Sequence, residues 1–149
     1  MTLLDVDDLD AGYGDVTVLS GVDLRVADGE YVTVVGPNGA GKSTVMNAIV
    51  GIATCFGGSV MYHGTEITEL APEDVVHQGI GYVPQTDNVF PSLTVEENLR
   101  VGAYVLETVP EDRKQVVYDR FPDLGERTDE EAGSLSGGQQ QMLALGCAL

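Results

Sequence analysis

The 149-residue sequence combines 43% hydrophobic residues with a formal net charge of −17, because 7 basic residues stand against 24 acidic ones. This length suits one compact core with room for a small subdomain, and it excludes two full domains. The charge argues against nucleic acid or anionic lipid headgroups as direct surface partners. Since the acidic residues are spread along the chain, the composition is typical of halophilic proteins, in which salt screens self-repulsion; an ordinary acidic protein is the alternative.

The sequence shows no signal for secretion or for membrane insertion. The start Met-Thr-Leu-Leu-Asp-Val-Asp-Asp lacks a basic segment followed by an apolar one, so no signal peptide is predicted. The most apolar stretch, residues 48–56, is far shorter than the roughly 20 residues that span a bilayer. We therefore expect a soluble, intracellular chain. Cys55 and Cys147 lie in apolar sequence without CxxC spacing, which predicts buried, reduced thiols.

The first third of the chain predicts strands around one glycine-rich loop. Short β-branched stretches separated by turn residues indicate strands at residues 3–9, 16–19, 22–26 and 31–35. The last of these is almost continuously apolar, as expected of a strand buried on both faces. It runs directly into a glycine loop at residues 36–43, and a helix is predicted at residues 42–50.

The remaining chain changes from mixed to mainly helical character. A hairpin-like segment, a helix and a strand are predicted at residues 58–64, 73–78 and 80–83. Thr94-Val-Glu-Glu is a capping box that begins a helix extending to about residue 105. Further helices are predicted at residues 111–121, before Pro122, and at 139–149, after a flexible break at 133–138. In the absence of repeats, this helical part is interpreted as an insertion in one domain and not as a separate unit.

Gly36, Gly41, Lys42 and Ser43 satisfy the pattern GxxxxGK[ST]. Glycines in such a loop let consecutive N–H groups point at phosphate oxygens, and the following helix adds its positive N-terminal end. The lysine is expected to reach the β- and γ-phosphates, and the serine hydroxyl to ligate Mg²⁺. A purely structural glycine turn is the alternative, which the strand before the loop and the helix after it disfavour.

A second glycine motif, Leu-Ser-Gly-Gly-Gln at residues 135–139, stands directly before the last predicted helix. By itself it is compatible with a flexible loop and an N-cap serine, but it also has the composition of an anion cradle at a helix N-terminus. With the phosphate loop about a hundred residues upstream, the sequence resembles the ABC ATPase family. The resemblance implies an α/β fold: a P-loop NTPase core with an antiparallel β-subdomain and a helical insertion.

The resemblance covers nearly the whole chain and adds two further residues. Tyr13, in Ala-Gly-Tyr-Gly, matches the aromatic on which the family stacks adenine, although alone it would be interpreted as an aromatic at a strand end. Gln85, after Val-Pro, matches the glutamine that contacts Mg²⁺ and the attacking water; alone it would be a loop residue. The nucleotide contacts implied by the resemblance are Tyr13, Gly36, Asn38, Gly39, Gly41, Lys42, Ser43, Thr44, Ser136, Gly137, Gly138 and Gln139. The implied metal ligands are Ser43 and Gln85, and Gln85 is also the implied catalytic residue.

Several segments are similar to the smaller ATP-binding subunit of branched-chain amino-acid importers, with urea and amide importers as close relatives. These segments are residues 88–99, 121–127 and 139–145. The resemblance implies ATP and Mg²⁺ as cofactors and a second ABC ATPase domain and permease subunits as partners. It also implies an indirect solute-binding protein, no nucleic acid, and a location at the cytoplasmic face of the membrane. The expected division is about 1–84 for the β-subdomain and P-loop core, about 86–134 for the helical subdomain, and 135–149 for the signature motif and following helix.

The sequence departs from the family in two ways. Cys147 stands where these relatives usually have arginine. The family also continues, after the position of Leu149, into an apolar strand ending in Asp-Glu, the Walker B motif with its general base, and later into a histidine. Glu111, Asp112 and the pair at 129–130 follow no apolar strand and do not replace it. We therefore expect a domain truncated before the Walker B strand, inactive by itself.

Two other functions stay open at this point. The chain could be a nucleotide-binding regulatory module without hydrolysis, but the sequence stops inside a predicted helix without a C-cap, which argues against a natural end there. It could also be an ABC ATPase that acts on DNA or ribosomes and not in transport. Its acidity and its importer-like middle segment disfavour that alternative.

Overall fold

The computed structural model describes residues 1–103 and 111–149, and these residues form two compact units, Met1–Ile80 and Gly81–Leu149. The helix predicted from residue 95 to about 105 therefore has its last residues outside the described part of the chain. Each unit has its own secondary structure and its own set of buried side chains.

The first unit is built on a four-stranded antiparallel sheet in the order β2-β1-β3-β4. The strands are β1 Thr2–Tyr13, β2 Val16–Ala27, β3 Thr54–Tyr62 and β4 Thr65–Glu66. Buried aliphatic side chains from the first three of them form the inner face: Val6, Leu9, Ala11, Leu19 and Val60. The antiparallel β-subdomain is thus confirmed.

β2 is one strand where the sequence predicted two, at residues 16–19 and 22–26. Gly21, between them, has a φ of 63° and Asp8 on the facing strand has a φ of 48°. At these two residues, side chains take the place of backbone partners in the β1–β2 ladder. Asp10 Oδ1 accepts from Gly21 N and Asp23 Oδ1 accepts from Asp8 N, both at 2.9 Å. The ladder therefore continues through a bulge, which only a glycine or a residue tolerant of positive φ permits.

The strands predicted at residues 31–35 and 80–83 are wrong for this structure. Tyr31 is 99% exposed and Val35 is 83% exposed, and residues 80–83 have no regular secondary structure. A strand exists only where a neighbour accepts and donates its backbone hydrogen bonds. Among the described residues, the four strands of the sheet pair with one another and none pairs with either segment.

Two helices complete the first unit. They are α1 Lys42–Ile49 and α2 Pro72–His77, which agree with the predicted helices to within one or two residues at each end. Val45, Ala48 and Ile49 of α1 are buried, and α1 contacts the first three strands of the sheet. The predicted hairpin is also present, as β3 and β4 around Gly64.

The second unit is helical, as predicted. Its elements are α3 Val95–Gly102, α4 Glu111–Arg120, α5 Pro122–Gly125, a 3-10 turn Ala132–Ser134, and α6 Gly137–Cys147. Its core consists of buried aliphatic side chains that come from all four α-helices, from the 3-10 turn and from the residue after that turn: Val95, Leu99, Val117, Leu124, Ala132, Leu135 and Leu143. Within residues 1–103 and 111–149, no helix is both long and apolar enough to span a bilayer.

Glycines allow α6 to approach its neighbours closely. A Cβ on Gly146 would lie 2.8 Å from Val117 Cγ1, and one on Gly102 would lie 2.6 Å from Cys147 O. Cys147 is a free, half-buried thiol that donates to Asn98 O at 3.4 Å, and burial raises its pKa to about 11. Cys55 is also free and half-buried, so both thiols are less buried than predicted.

Asn98 connects helix α3 to the preceding loop. It is 1% exposed, and its Oδ1 accepts from Phe90 N at 2.7 Å. Its Nδ2 donates to three carbonyl oxygens, those of Phe90, Leu93 and Thr94, at 2.9–3.2 Å. Because a buried backbone group costs free energy when it has no partner, this single side chain stabilises the loop in one conformation.

We expect Asn98→Ala to lower the free energy of unfolding by about 1–3 kcal/mol, since it leaves buried backbone groups unpaired. Urea unfolding followed by circular dichroism measures the change. The control is Asn88→Ala, at a half-exposed position whose side chain donates two hydrogen bonds. It should lower the free energy of unfolding by less than Asn98→Ala does. A loss no larger for Asn98→Ala than for the control would contradict the role assigned to Asn98.

The charge of the chain is only partly compensated by ion pairs. Those observed are Arg25–Asp5, Arg100–Glu96, Lys114–Glu96 and Arg127–Glu130. The Lys114 ammonium, 3.1 Å from Glu96 Oε1, lowers the pKa of that carboxyl, with Arg100 as a smaller contribution. Since 7 basic residues cannot neutralise 24 acidic ones, most carboxylates repel one another.

Raising NaCl from roughly 0.1 M to 2 M should therefore raise the midpoint of thermal unfolding at pH 7, because the Debye length shortens from about 10 Å to under 3 Å. Circular dichroism at rising temperature measures it. The control is the same salt series near pH 4.1, the sequence pI, where the response should largely disappear. An equal response at both pH values would show that salt acts through something other than charge.

Candidate nucleotide-binding site

The glycine loop at residues 36–41 has a backbone that other residues would not adopt. Gly39 and Gly41 have φ values of 84° and 88°, in the left-handed region. A Cβ on Gly41 would also lie 2.6 Å from Leu19 Cδ2. The left-handed backbone thus favours glycine immediately before helix α1, and a side chain there would also displace Leu19. Left-handed residues alternating with ordinary ones turn successive N–H groups towards one concave side, which favours an anion.

Lys42, the first residue of α1, curls back over this loop. Its Nζ donates to Gly36 O at 2.8 Å and to Pro37 O at 2.6 Å. These two hydrogen bonds join the end of the loop to its beginning, and they place the ammonium near the N-terminus of α1. A cation at this place adds its charge to the positive end of the helix.

The first turn of α1 is open to an external acceptor. In the described part of the chain, no side chain caps α1, and its first turn contains no acidic residue. Ser43 is exposed, whereas Thr44 is 6% exposed and belongs to the core. Helices α3 and α6, in contrast, have complete capping boxes. The uncapped N–H groups and the Ser43 hydroxyl are therefore the natural partners for a phosphate group.

Tyr13 ends strand β1 at a tight hairpin and belongs to the same unit as the glycine loop. A Cβ on Gly12 would collide with Val16 O, and Gly14 has a φ of 57°. Tyr13 is 43% exposed, and its Oη accepts a hydrogen bond from Asn47 Nδ2 on α1 at 2.7 Å. The structure thus links the predicted adenine-stacking aromatic to the helix that begins at Lys42.

Gln85 lies in the second unit, exposed, in a bend that follows Pro84. The loop after it is fastened by Asn88, whose Nδ2 donates to Pro84 O at 3.4 Å and to Gln141 Oε1 at 3.1 Å. Gln141 is on α6, the helix that follows the second glycine motif. Within this unit, Gln85 and that motif are therefore carried by segments that contact each other.

The second glycine motif forms the N-terminus of α6. Ser136 is the N-cap: its Oγ accepts from Gln139 N at 3.2 Å, and its N donates to Gln139 Oε1 at 3.0 Å. The Gln139 side chain is thus engaged within the capping box. Among residues 1–103 and 111–149, no atom lies within 4 Å of where a Cβ on Gly137 or Gly138 would be, so packing against these residues does not require glycine there. Two glycines weaken a helix, but they also leave its backbone open to close approach by an external group.

The side-chain amide of Gln140, a residue that no motif in the sequence indicates, stabilises the segment before α6. Gln140 Nε2 donates to Ala132 O at 3.0 Å and to Leu135 O at 3.4 Å. It holds the 3-10 turn in the orientation that presents Ser136. Asn47, Asn88 and Gln140 were all missed, because no sequence pattern indicates which surface amide bonds to which carbonyl.

Comparison with known proteins gives one consistent family. The family model for "ABC transporter" matches residues 19–149. The probable branched-chain amino acid transport ATP-binding protein LivF of Archaeoglobus fulgidus is 46% identical over 142 residues, which cover 95% of this chain and 60% of that protein. The high-affinity branched-chain amino acid transport ATP-binding protein BraG of Pseudomonas aeruginosa is 40% identical over 151 residues, covering 99% and 64%.

A solved structure with the same fold is a nucleotide-free ATP-binding cassette from an ABC transporter. The TM-score is 0.85 at 30% sequence identity, and the match covers 100% of this chain and 65% of that one. The chain thus spans less than two thirds of the length of each of these relatives.

Proposed function

Because the chain belongs to the ABC transporter family, we propose that it is the ATP-binding part of an import subunit, coupling ATP binding and hydrolysis to uptake of a small solute. The observation that carries this proposal is the glycine loop with Lys42 closed over it at the open end of α1. Branched-chain amino acids are the proposed solute, since LivF and BraG are named for their transport.

The glycine loop would hold the β- and γ-phosphates of ATP. Gly36, Asn38, Gly39 and Gly41 supply a backbone on which N–H groups converge, and Lys42 supplies the charge. The Lys42 ammonium would exchange one or both of its carbonyl contacts for phosphate oxygens, a change within the reach of its flexible stem. Thr44, being buried, would contribute its backbone N–H.

The oxygen donors present suit Mg²⁺ bound together with ATP. The Ser43 hydroxyl is exposed beside the phosphate loop of the first unit. For Gln85, which is exposed in the second unit, the support as a ligand is the family resemblance alone. Among the described residues, no group of three or more His, Cys, Asp or Glu could hold a metal. An ion held mainly by phosphates, water and one or two protein oxygens agrees with this. When bound, Mg²⁺ neutralises charge on the β- and γ-phosphates. Gln85 would orient the attacking water.

The second glycine motif would bind the ATP of a partner ATPase domain. The Ser136 oxygen accepts within the capping box, so its hydroxyl hydrogen remains available to a phosphate oxygen. The bare backbone at Gly137 and Gly138 permits close approach, and the N-terminus of α6 favours negative charge. Gln139 would act mainly by holding Ser136. Closure of two domains around two nucleotides would drive permease subunits at the cytoplasmic face of the membrane.

Residues 1–149 alone would bind MgATP without hydrolysing it. In the family, the general base is a glutamate in the Asp-Glu pair that follows the signature helix, and this sequence has no such pair after residue 136. Positioned general-base help is worth about 10²–10⁴ in rate. The Gln85 amide has no proton affinity with which to replace a carboxylate.

Lys42→Ala should weaken ATP binding by about 10- to 150-fold, the equivalent of a lost charge-assisted hydrogen bond, and leave the circular dichroism spectrum unchanged. Equilibrium titration with a fluorescent ATP analogue measures it. Lys114→Ala is the matched control, since Lys114 is the second lysine of the chain and pairs with Glu96. Unchanged affinity in Lys42→Ala would refute the phosphate-loop assignment.

The ATPase proposal is tested by phosphate release from purified residues 1–149 in molar salt. A second protein, extended by the Walker B strand of a relative, serves as the comparison. We expect turnover at least about 100-fold lower in the shorter protein, with similar ATP affinity. Equal turnover would show that a residue within 1–149 acts as the base.

A further inference from the structure

We propose that Asn47 is a positioning residue for the nucleobase, because its carboxamide fixes the Tyr13 ring relative to the phosphate loop. This inference rests on the proposed function and deepens it. The Asn47 Nδ2 to Tyr13 Oη hydrogen bond, at 2.7 Å, joins residues separated by 34 positions in the sequence. It thereby connects base recognition, on the β-hairpin, with phosphate recognition, at the start of α1.

The Tyr13 ring depends on this hydrogen bond, which we call the tether, for a defined orientation. The residue lies at the tip of the β1–β2 hairpin, where it pairs with Val16 across the turn. The backbone there is fixed by the close approach of Gly12 to Val16 O. The side chain, however, is 43% exposed, and the hydrogen bond from Asn47 to its hydroxyl restricts the orientation of the ring. An aromatic ring offers a base its face only when that orientation is held.

The Asn47 side is rigid. Asn47 is five residues after Lys42, about 7.5 Å further along the axis of α1. Its carbonyl oxygen accepts from both Ile52 N, at 2.7 Å, and Ala53 N, at 3.0 Å. The next residues, Ala48 and Ile49, are buried in the core. The amide therefore projects from a backbone that is itself doubly hydrogen-bonded, at a fixed distance from Lys42.

The consequence is preorganisation of the stacking surface. If the ring is already held, ATP binding does not have to immobilise it, and the entropy cost avoided for one side chain corresponds to about two- to tenfold in affinity. Inorganic triphosphate makes no stacking contact, so its affinity should not depend on the tether. The ratio of the two dissociation constants is thus a readout that a purely structural role of Asn47 would not change.

The experiment measures dissociation constants for ATP and for inorganic triphosphate in four proteins: wild type, Tyr13→Phe, Asn47→Ala and the double variant. Each single variant should raise the Kd for ATP about two- to tenfold and leave that for triphosphate unchanged. The double variant should equal the single ones, because both remove the same hydrogen bond. Tyr13→Ala removes the ring itself, so it should raise the Kd for ATP further, by about 5- to 150-fold.

Asn47→Asp is the rescue variant. The Tyr13 hydroxyl can donate to its carboxylate, which restores the tether with reversed direction. The added charge weakens both phosphate ligands, so the ratio of their dissociation constants should return to the wild-type value. Equal losses for both ligands in Asn47→Ala, additive effects in the double variant, or an unrestored ratio in Asn47→Asp would overturn the inference. Wild type binding neither ligand would instead overturn the proposed function.

Discussion

The Lys42 ammonium, bonded to the carbonyl oxygens of Gly36 and Pro37, is the interaction on which the proposed nucleotide site depends. The left-handed residues Gly39 and Gly41 lie between these two carbonyl groups and Lys42, so the chain turns back on itself before α1 begins. The first turn of α1 is open, and a capping side chain there would compete with a phosphate. The site is thus built as a closed ring of backbone around one charge.

Elsewhere in the two units, hydrogen bonds from the neutral side-chain amides of Asn and Gln stabilise the loops and turns. Asn98 holds the loop before α3, Gln140 holds the turn before α6, and Asn47 holds Tyr13. In a chain with 7 basic residues, few ion pairs are possible, and salt screens the exposed ones. Amide hydrogen bonds do not weaken in the same way. Hydrogen bonds between neutral amides are therefore expected to be less sensitive to salt than the exposed ion pairs of this chain.

The parts that sequence predicts well are those decided locally. The capping box at Thr94 and the helix from Lys42 follow from neighbouring residues and appear as expected. The flexible break predicted at residues 133–138 is wrong, because the 3-10 turn Ala132–Ser134 lies there and the Ser136 capping box begins α6 at Gly137, two residues earlier than predicted. The segments at 31–35 and 80–83 failed because a strand is defined by distant partners, which an apolar run does not supply. The merging of two strands into β2 depended on the bulge at Gly21. The Asn47–Tyr13 bond spans 34 positions and leaves no pattern in the sequence.

The central claim, that Lys42 exchanges loop carbonyls for phosphates, has a direct spectroscopic test because the sequence contains two lysines, Lys42 and Lys114. In protein labelled with ¹⁵N-lysine, two side-chain ammonium resonances are expected, and Lys42→Arg assigns them. Titration with MgATP should shift the Lys42 resonance and leave that of Lys114, which is paired with Glu96, unchanged. Saturating MgATP that leaves the Lys42 resonance in place would contradict the account.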